Sequence, residues 1–413
     1  MSLAQNILII GTVWPEPNSS AAGSRMLQLM HLFLSENWKI TFASAASDSE
    51  YAFDIQTLGI EKVKIELNNK SFDEFVAKLQ PSIVIFDRFM IEEQFGWRVA
   101  ENAPDALRII DTIDLHCLRQ ARQSALKEKS VFTSEYLFSD TAKREMASIL
   151  RCDCSLIISD FEMKLLNDYF KIDSDLLHYI PFLLDKIEEK DKRVWPSFED
   201  RAHFITIGNF IHEPNFNAVQ YLKEEIWPLI RKQLPSAELH IYGAYASQKV
   251  NELNDVKEGF LIKGRAEDAM LVVRNAKICL APLRFGAGIK GKLVEAMQCG
   301  TPSVTTDIGA EGMHGDFEWN GIIANTPQEI ADAAVKLYID KVLWQKSQEN
   351  GIAIINNFYS KEKHGEKLIE QISILQKNLK IHRLKNFTGA MLMHHTISST
   401  KYMSKWIEEK GKK

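Results

Sequence analysis

The sequence predicts an α/β protein made of two doubly wound parallel sheets in tandem. Three observations carry this. Short apolar, β-rich runs alternate with amphipathic helical stretches, the pattern of repeated strand–helix–strand units. The alternation breaks at a charged, proline-containing segment, Leu183 to Arg201, and then restarts. The length of 413 residues suits two or three domains at roughly 150 residues each. The boundaries read as 1–182 for the first domain, 183–201 for a linker and 202–362 for the second domain.

The elements follow in order. Asn6 to Gly11 is an apolar run ending in glycine, a first strand. Ser24 to Ser35 carries Met26, Leu27, Met30, Phe33 and Leu34 at helical spacing. Lys39 to Ala43, Ile83 to Asp87, Arg108 to Asp111, Ser155 to Ser159 and His178 to Pro181 continue the strand series. After the linker, His203 to Gly208 runs into a glycine turn. Asn217 to Leu234 is predicted helical, with Val219, Leu222, Ile226, Leu229 and Ile230 on one face. Glu238 to Gly243, Gly259 to Lys263, Lys277 to Ala281 and Pro302 to Thr306 are further strands, and Pro327 to Leu337 is a helix. In open parallel sheets ligands bind beyond the carboxyl ends of the strands, so the site is expected in the cleft between the domains.

Composition sets further bounds. Hydrophobic residues make up 45% and charged residues 25%, which excludes disorder, collagen and coiled coil as the main architecture. No run of about 18 apolar residues is present, so no transmembrane helix is expected. Met1 to Trp14 lacks a basic opening and reads as a strand rather than a signal peptide. The net charge of −5 argues against a general nucleic-acid binder. It is uneven: Lys377 to Lys413 holds nine Lys/Arg and two Asp/Glu, net +7, leaving −12 for the rest. Apolar residues interleave that tail, so contact with an anionic membrane face is one expectation for it. Met391 to His395 reads as packing rather than a metal site, and no metal site is expected elsewhere. Five scattered cysteines predict no disulfide framework and fit a reducing cytoplasm. Cys152 and Cys154 read as buried thiols beside a strand.

One segment carries most of the chemistry. Ala281 to Gly300 reads APLRFGAGIKGKLVEAMQCG. A strand ends at Ala281, a loop with Gly286, Gly288 and Gly291 follows, and a helix runs to about Gln298 with Gly300 at its end. Glycines after a strand let backbone N–H groups close on an anion, and the helix N-terminus adds partial positive charge. Lys290 and Lys292 place two full charges at the same end. Glu295 lies three residues after Lys292, one turn deeper on the same face, where a carboxylate can hold a ribose diol. Arg284 precedes the glycines and is a candidate phosphate contact.

With these residues stated, the second half resembles the donor-binding domain of GT-B glycosyltransferases, specifically the retaining family 4 group. The matching stretches are Thr206 to Asn215 (TIGNFIHEPN), Trp227 to Ile230, Leu239 to Gly243, Pro282 to Thr306 and Gly309 to Gly312. The first half resembles the acceptor domain through its opening strand, the Pro15/Pro17 loop, Ala22-Gly23, Arg25 and the helix after it. The resemblance implies that Glu295 binds the nucleotide ribose and that Lys292, with Lys290, binds the diphosphate. It implies that Gly23 belongs to a loop approaching the donor phosphate, that Gly208 opens a loop facing the sugar, and that Arg265 contacts the nucleobase. It further implies a last segment, 363–413, whose helix crosses back to the first domain.

Three departures accompany it. The family's first motif glutamate would fall at position 287, which is Ala287. Asn209 and His212 stand where relatives place an Arg and a Lys. Ile113 replaces the histidine of a His-Asp pair, while Asp114 remains and His116 follows. Asp114 and His116 are candidates for orienting or activating an acceptor hydroxyl. His212 is a candidate donor contact. Arg119 and Arg122 read as a solvated helix face.

The predicted activity is glycosyl transfer from a nucleotide-diphosphate sugar, metal-independent and, as the resemblance implies, with retention, the nucleotide sugar being a substrate and no cofactor being needed. Two other readings stay open: a sugar-nucleotide epimerase of similar fold, and a catalytically silent GT-B scaffold.

Overall fold

A computed structural model describes residues 5–394 and, beyond them, residues 402, 403, 406, 407 and 410. The first sheet has seven strands: β1 (Asn6–Gly11), β2 (Lys39–Ser44), β3 (Glu61–Lys64), β4 (Ile83–Asp87), β5 (Leu107–Asp111), β6 (Cys154–Ile157) and β7 (Leu177–Tyr179). All pair in parallel, in the spatial order β3-β2-β1-β4-β5-β6-β7. The second sheet has six: β8 (Ala202–Ile207), β9 (Leu239–Tyr242), β10 (Phe260–Gly264), β11 (Ala276–Ala281), β12 (Ser303–Thr305) and β13 (Gly321–Ile323), ordered β10-β9-β8-β11-β12-β13. Each order reverses direction once, between β1 and β4 and between β8 and β11. Loops leaving those strands are where a doubly wound sheet opens a crevice.

Central strands read as continuous apolar runs because helices cover both sheet faces. Ile7, Leu8, Ile9 and Ile10 are all fully buried, alternating between two core clusters. The edge strand β3 was not predicted, since Glu61 and Lys64 are exposed and charged at an edge that charge protects from pairing. The three-residue β13 gave too short a signal to read.

The predicted helix Asn217 to Leu234 is interrupted. An α-helix spans Glu213–Tyr221, a π-helical turn Leu222–Ile226, and a second α-helix Trp227–Gln233. Pro228 is the cause: it has no N–H to give the Glu224 carbonyl, so the ladder shifts register there.

The charged linker is anchored at its end. Arg201 is 2% exposed and donates to Thr301 Oγ1 (2.6 Å) and the Cys299 carbonyl (3.0 Å). The helix Lys361–Lys385 packs Leu368, Ile372 and Leu375 into the first domain's core beside Ile7, Ile9 and Ile83. Arg383 fixes it there through Asp153 (2.7 and 2.8 Å). All five cysteines are free and buried. Of the Met391 to His395 cluster, Met391 is exposed rather than packed, because the helix Phe387–Met393 turns it outward, and His395 lies outside the described residues. No helix among the described residues is long and apolar enough to cross a membrane.

Candidate functional site

A cleft of about 480 Å³ lies between the two domains and is lined by both. Several helices begin on it, and two of these starts, one from each domain, meet. Ala21–Ser35 starts after Ser20, whose hydroxyl accepts the Gly23 N–H (3.1 Å). Gly291–Gln298 starts after Lys290 and has no side-chain cap. The two starts meet: a Cβ on Gly291 would lie 2.5 Å from the Ala21 Cβ. Two helix N-termini, one per domain, therefore open onto a single space, and their unpaired N–H groups and dipoles favour an anion there.

Lys290 and Lys292 line this space. Lys290 is 8% exposed, and its Nζ donates to the Gly288 carbonyl (2.8 Å). Lys292 Nζ donates to Asn215 Oδ1 (2.8 Å), and Asn215 Nδ2 donates in turn to the Asn209 carbonyl (2.8 Å). That chain ties the loop after β8 to the helix after β11. Burial pulls both ammonium groups down to about 8. Glu295 lies between this cleft and an adjoining cavity of about 430 Å³. Burial raises its carboxyl, and Lys292 pulls the other way.

The lysine shifts give a signed expectation. In the empty site both ammonium groups lose their protons as pH rises through about 8. A diphosphate favours the charged forms, so its binding at about pH 8 takes up protons and weakens at higher pH. Calorimetry in two buffers of different ionisation enthalpy measures that uptake, and a buffer-independent enthalpy would contradict it.

The opposite wall follows β5. Ile113 sits at φ 63°, a left-handed conformation costly for a β-branched residue, and turns the chain so that Asp114 enters the cleft. Arg119 NH1 is 3.1 Å and His116 Nε2 is 3.5 Å from the Asp114 carboxylate. Burial alone would raise Asp114, but Arg119, His116 and His212 outweigh it and hold it below the usual carboxylate range. Burial brings His116 and His212 down to about 4 against the pull of Asp114. At neutral pH Asp114 is thus ionised, while His116 beside it and His212, which faces it from the second domain, are neutral imidazoles.

The helix His116–Lys127 has no cap of its own. Glu145 accepts the His116 and Cys117 N–H groups (both 2.9 Å), and Glu162 Oε1 accepts that of Leu115 (2.9 Å). The same Glu162 oxygen accepts the Gly288 N–H from the other domain (2.9 Å). Its Oε2 is buried with no partner among the described residues, and burial raises the carboxyl to about 8. Gly288 has φ +62°, and a Cβ there would lie 2.8 Å from the Asp114 Cβ, so only glycine fits this approach. Ala287 is half-buried: it packs against the first domain's core and also lines the cleft.

The expectation of a solvated face is corrected for Arg119, which pairs with Asp114 in the cleft, and for Arg122. Arg122 is 8% exposed, donates to both Glu311 oxygens (2.8 and 2.7 Å) and to the Gly286 carbonyl (2.9 Å), and lies over the Phe132 and Phe161 rings. The helix carries it into the domain contact, which helical periodicity alone does not reveal. At the far mouth of the cleft Arg265 lies over the Tyr51 ring (4.3 Å), and Tyr245, in edge contact with Tyr51, donates to Glu16 (2.8 Å).

The cleft therefore gathers Asp114, His116, Gly208, Asn209, His212, Arg265, Gly286, Lys290, Lys292 and Glu295. Three candidates lie off its wall. Gly23 packs on the Glu16 backbone, behind the Ser19 to Ala22 stretch that does line it. Gly288 faces Asp114 and Glu162. Arg284 turns away to Asn217 Oδ1 (2.9 Å) and the Tyr221 ring. Sequence reasoning gave no role to Asn215, Glu162 or Glu311. Glu162 carried one signal, a carboxylate four residues before Leu166 on an apolar helix face. Among the described residues no group of three or more His, Cys, Asp or Glu is placed to hold a metal ion.

Comparison with known proteins bears on the fold. Residues 201–340 match the family described as Glycosyl transferases group 1. A probable sucrose-phosphate synthase 2 of Oryza sativa subsp. japonica is 29% identical over 123 residues, which cover 29% of this chain and 12% of that protein's length. Among solved structures, the sucrose-phosphate synthase of Thermosynechococcus elongatus superposes with a TM-score of 0.66 at 15% identity, covering 90% of this chain and 99% of that one. HepE of Anabaena, solved in complex with UDP-glucose, superposes with a TM-score of 0.67 at 12% identity, covering 90% and 100%. A glycosyltransferase of Rickettsia africae gives 0.65 at 13% identity, covering 91% and 99%. These likenesses establish the two-domain GT-B fold.

Proposed function

We propose that this chain, a GT-B glycosyltransferase whose second domain is of the group 1 type, moves a sugar from a nucleoside-diphosphate donor to an acceptor held against the first domain, with retention of anomeric configuration. The observation that carries the reading is the convergence of two helix N-termini, Lys290 and Lys292 on one interdomain cleft, with Glu295 one turn deeper. The UDP-glucose complex of HepE, a chain of the same fold, supports a nucleotide sugar as the donor class.

Each residue then has a task. The glycosidic bond from the sugar's anomeric carbon to the diphosphate breaks, and a bond from the acceptor oxygen forms. Negative charge grows on the departing diphosphate, and Lys290, Lys292 and the two helix ends are already oriented to stabilise it. Those lysines supply the charge that a metal ion would otherwise provide, and no resident cofactor is required. Glu295 accepts from the ribose hydroxyls. Arg265, beside Tyr51, flanks the nucleobase. Asp114 accepts a hydrogen bond from the acceptor hydroxyl and orients it, with neutral His116 and His212 beside it. The acceptor proton passes to the leaving phosphate oxygen, so the attack occurs on the face the donor leaves. The closed contact between the domains keeps water from competing with the acceptor.

Titration calorimetry against UDP, ADP and GDP tests this. One of them is expected to bind, and Glu295→Gln is expected to weaken it by about 1 kcal/mol, roughly fivefold, by removing a charged acceptor from the ribose. Failure of all three to bind would remove the reading. Consumption of the sugar donor without any acceptor would point instead to an epimerase.

A further inference from the structure

The last long helix turns an apolar stripe to solvent. Lys361–Lys385 buries Leu368, Ile372 and Leu375 in the first domain, which satisfies its inner face. On the opposite face Ile374, Ile381 and Leu384 are 47%, 61% and 74% exposed. Their spacings of seven and three residues place them on one line along the helix. The outer face of a docked helix is ordinarily polar. The stripe continues into the next helix, where Phe387 is 71% and Met391 54% exposed, four residues apart.

Charge follows the same line. Lys377 and Lys385 are exposed within the stripe, and no acidic residue occurs between Glu370 and Glu408. From Lys377 onward the chain carries +7, against −12 before it. Of the tail beyond His394, residues 402, 403, 406, 407 and 410 are described, and Trp406 and Ile407 among them are exposed.

We infer that this face docks on a bilayer containing anionic phospholipid. The isoleucine, leucine and phenylalanine side chains enter the headgroup–acyl boundary while the lysines reach lipid phosphates, which is how an interfacial amphipathic helix binds. Charge complementarity selects this occupant over a second copy of the chain, since a twofold contact through the same face would set its lysines against one another. The docked surface belongs to the first domain, so the acceptor wall of the cleft is the half held at the membrane.

Co-sedimentation with vesicles tests the inference on the full chain. It is expected to pellet with phosphatidylcholine vesicles containing about 30% phosphatidylglycerol and not with phosphatidylcholine alone, and to be released several-fold by high salt. Ile381→Glu with Leu384→Glu is expected to reduce pelleting at least roughly tenfold, with circular dichroism and nucleoside-diphosphate binding unchanged. Lys377→Glu with Lys385→Glu, which leaves all apolar packing intact, is expected to do the same. Absence of binding to anionic vesicles, or binding indifferent to both pairs of substitutions, overturns the proposal. So does a dimer in sedimentation velocity that the apolar pair dissociates. Nucleotide binding is measured separately, so a failure here leaves the glycosyltransferase reading standing, and the reverse.

Discussion

Replacing Arg122 by alanine is expected to destabilise the closed two-domain protein by about 3–5 kcal/mol, the range for removing one partner of a buried ion pair. The guanidinium and the Glu311 carboxylate are 8% and 17% exposed, so neither can recover full hydration where it stands. Alanine would leave the Glu311 carboxylate without its guanidinium partner and the Gly286 carbonyl without its donor. The cost should fall when the stranded charge is removed as well, so Arg122→Ala with Glu311→Ala is expected to be more stable than Arg122→Ala alone. Urea unfolding of the four members of that cycle measures the coupling. Additive effects would mean that the contact does not hold the domains. The functional consequence follows from position: Gly286 and Gly288 are both held by first-domain side chains, so loosening Arg122 frees the glycine loop beside Lys290.

Lys292→Ala is expected to weaken nucleoside-diphosphate binding by about 1–3 kcal/mol, roughly 5- to 150-fold, as for a lost charge-assisted hydrogen bond. Alanine suits a helix first turn, so the fold should persist. The Nζ lies 3.0 Å from where a Cβ on Gly208 would stand, so a side chain at position 208 would crowd this ammonium. The loss in kcat should exceed the loss in donor affinity, because charge on the diphosphate is greatest as the glycosidic bond breaks. Calorimetry and steady-state kinetics separate the two. An unaltered affinity would detach this lysine from the donor.

The backbone pattern and the glycine-lysine segment after β11 were both written locally. Strands buried on both faces must be largely apolar, so β1 and β4 announce themselves, and the glycine-lysine-glutamate segment at 286–295 is one strand end and one helix start. Chemistry contained within ten residues is legible because the helix sets its geometry. The exposed edge β3 and the register shift at Pro228 were less so, since each depends on what the neighbouring chain does.

The sequence by itself determined the two parallel-sheet domains, the run of strands that builds each, and a cationic, glycine-lined helix start in the second. Only the tertiary structure decided what that helix start faces. It brought Ala21 against Gly291, set Asp114 and His116 opposite His212, put Glu162 on Gly288 and buried Arg122 on Glu311. These contacts join residues as much as 270 positions apart, Ala21 and Gly291 being the widest pair. A side chain's period along its own helix shows whether it leaves the core, but not whether solvent or another domain meets it there. That depends on how the two cores dock, and docking is fixed by shape and charge across the interface rather than by any local pattern.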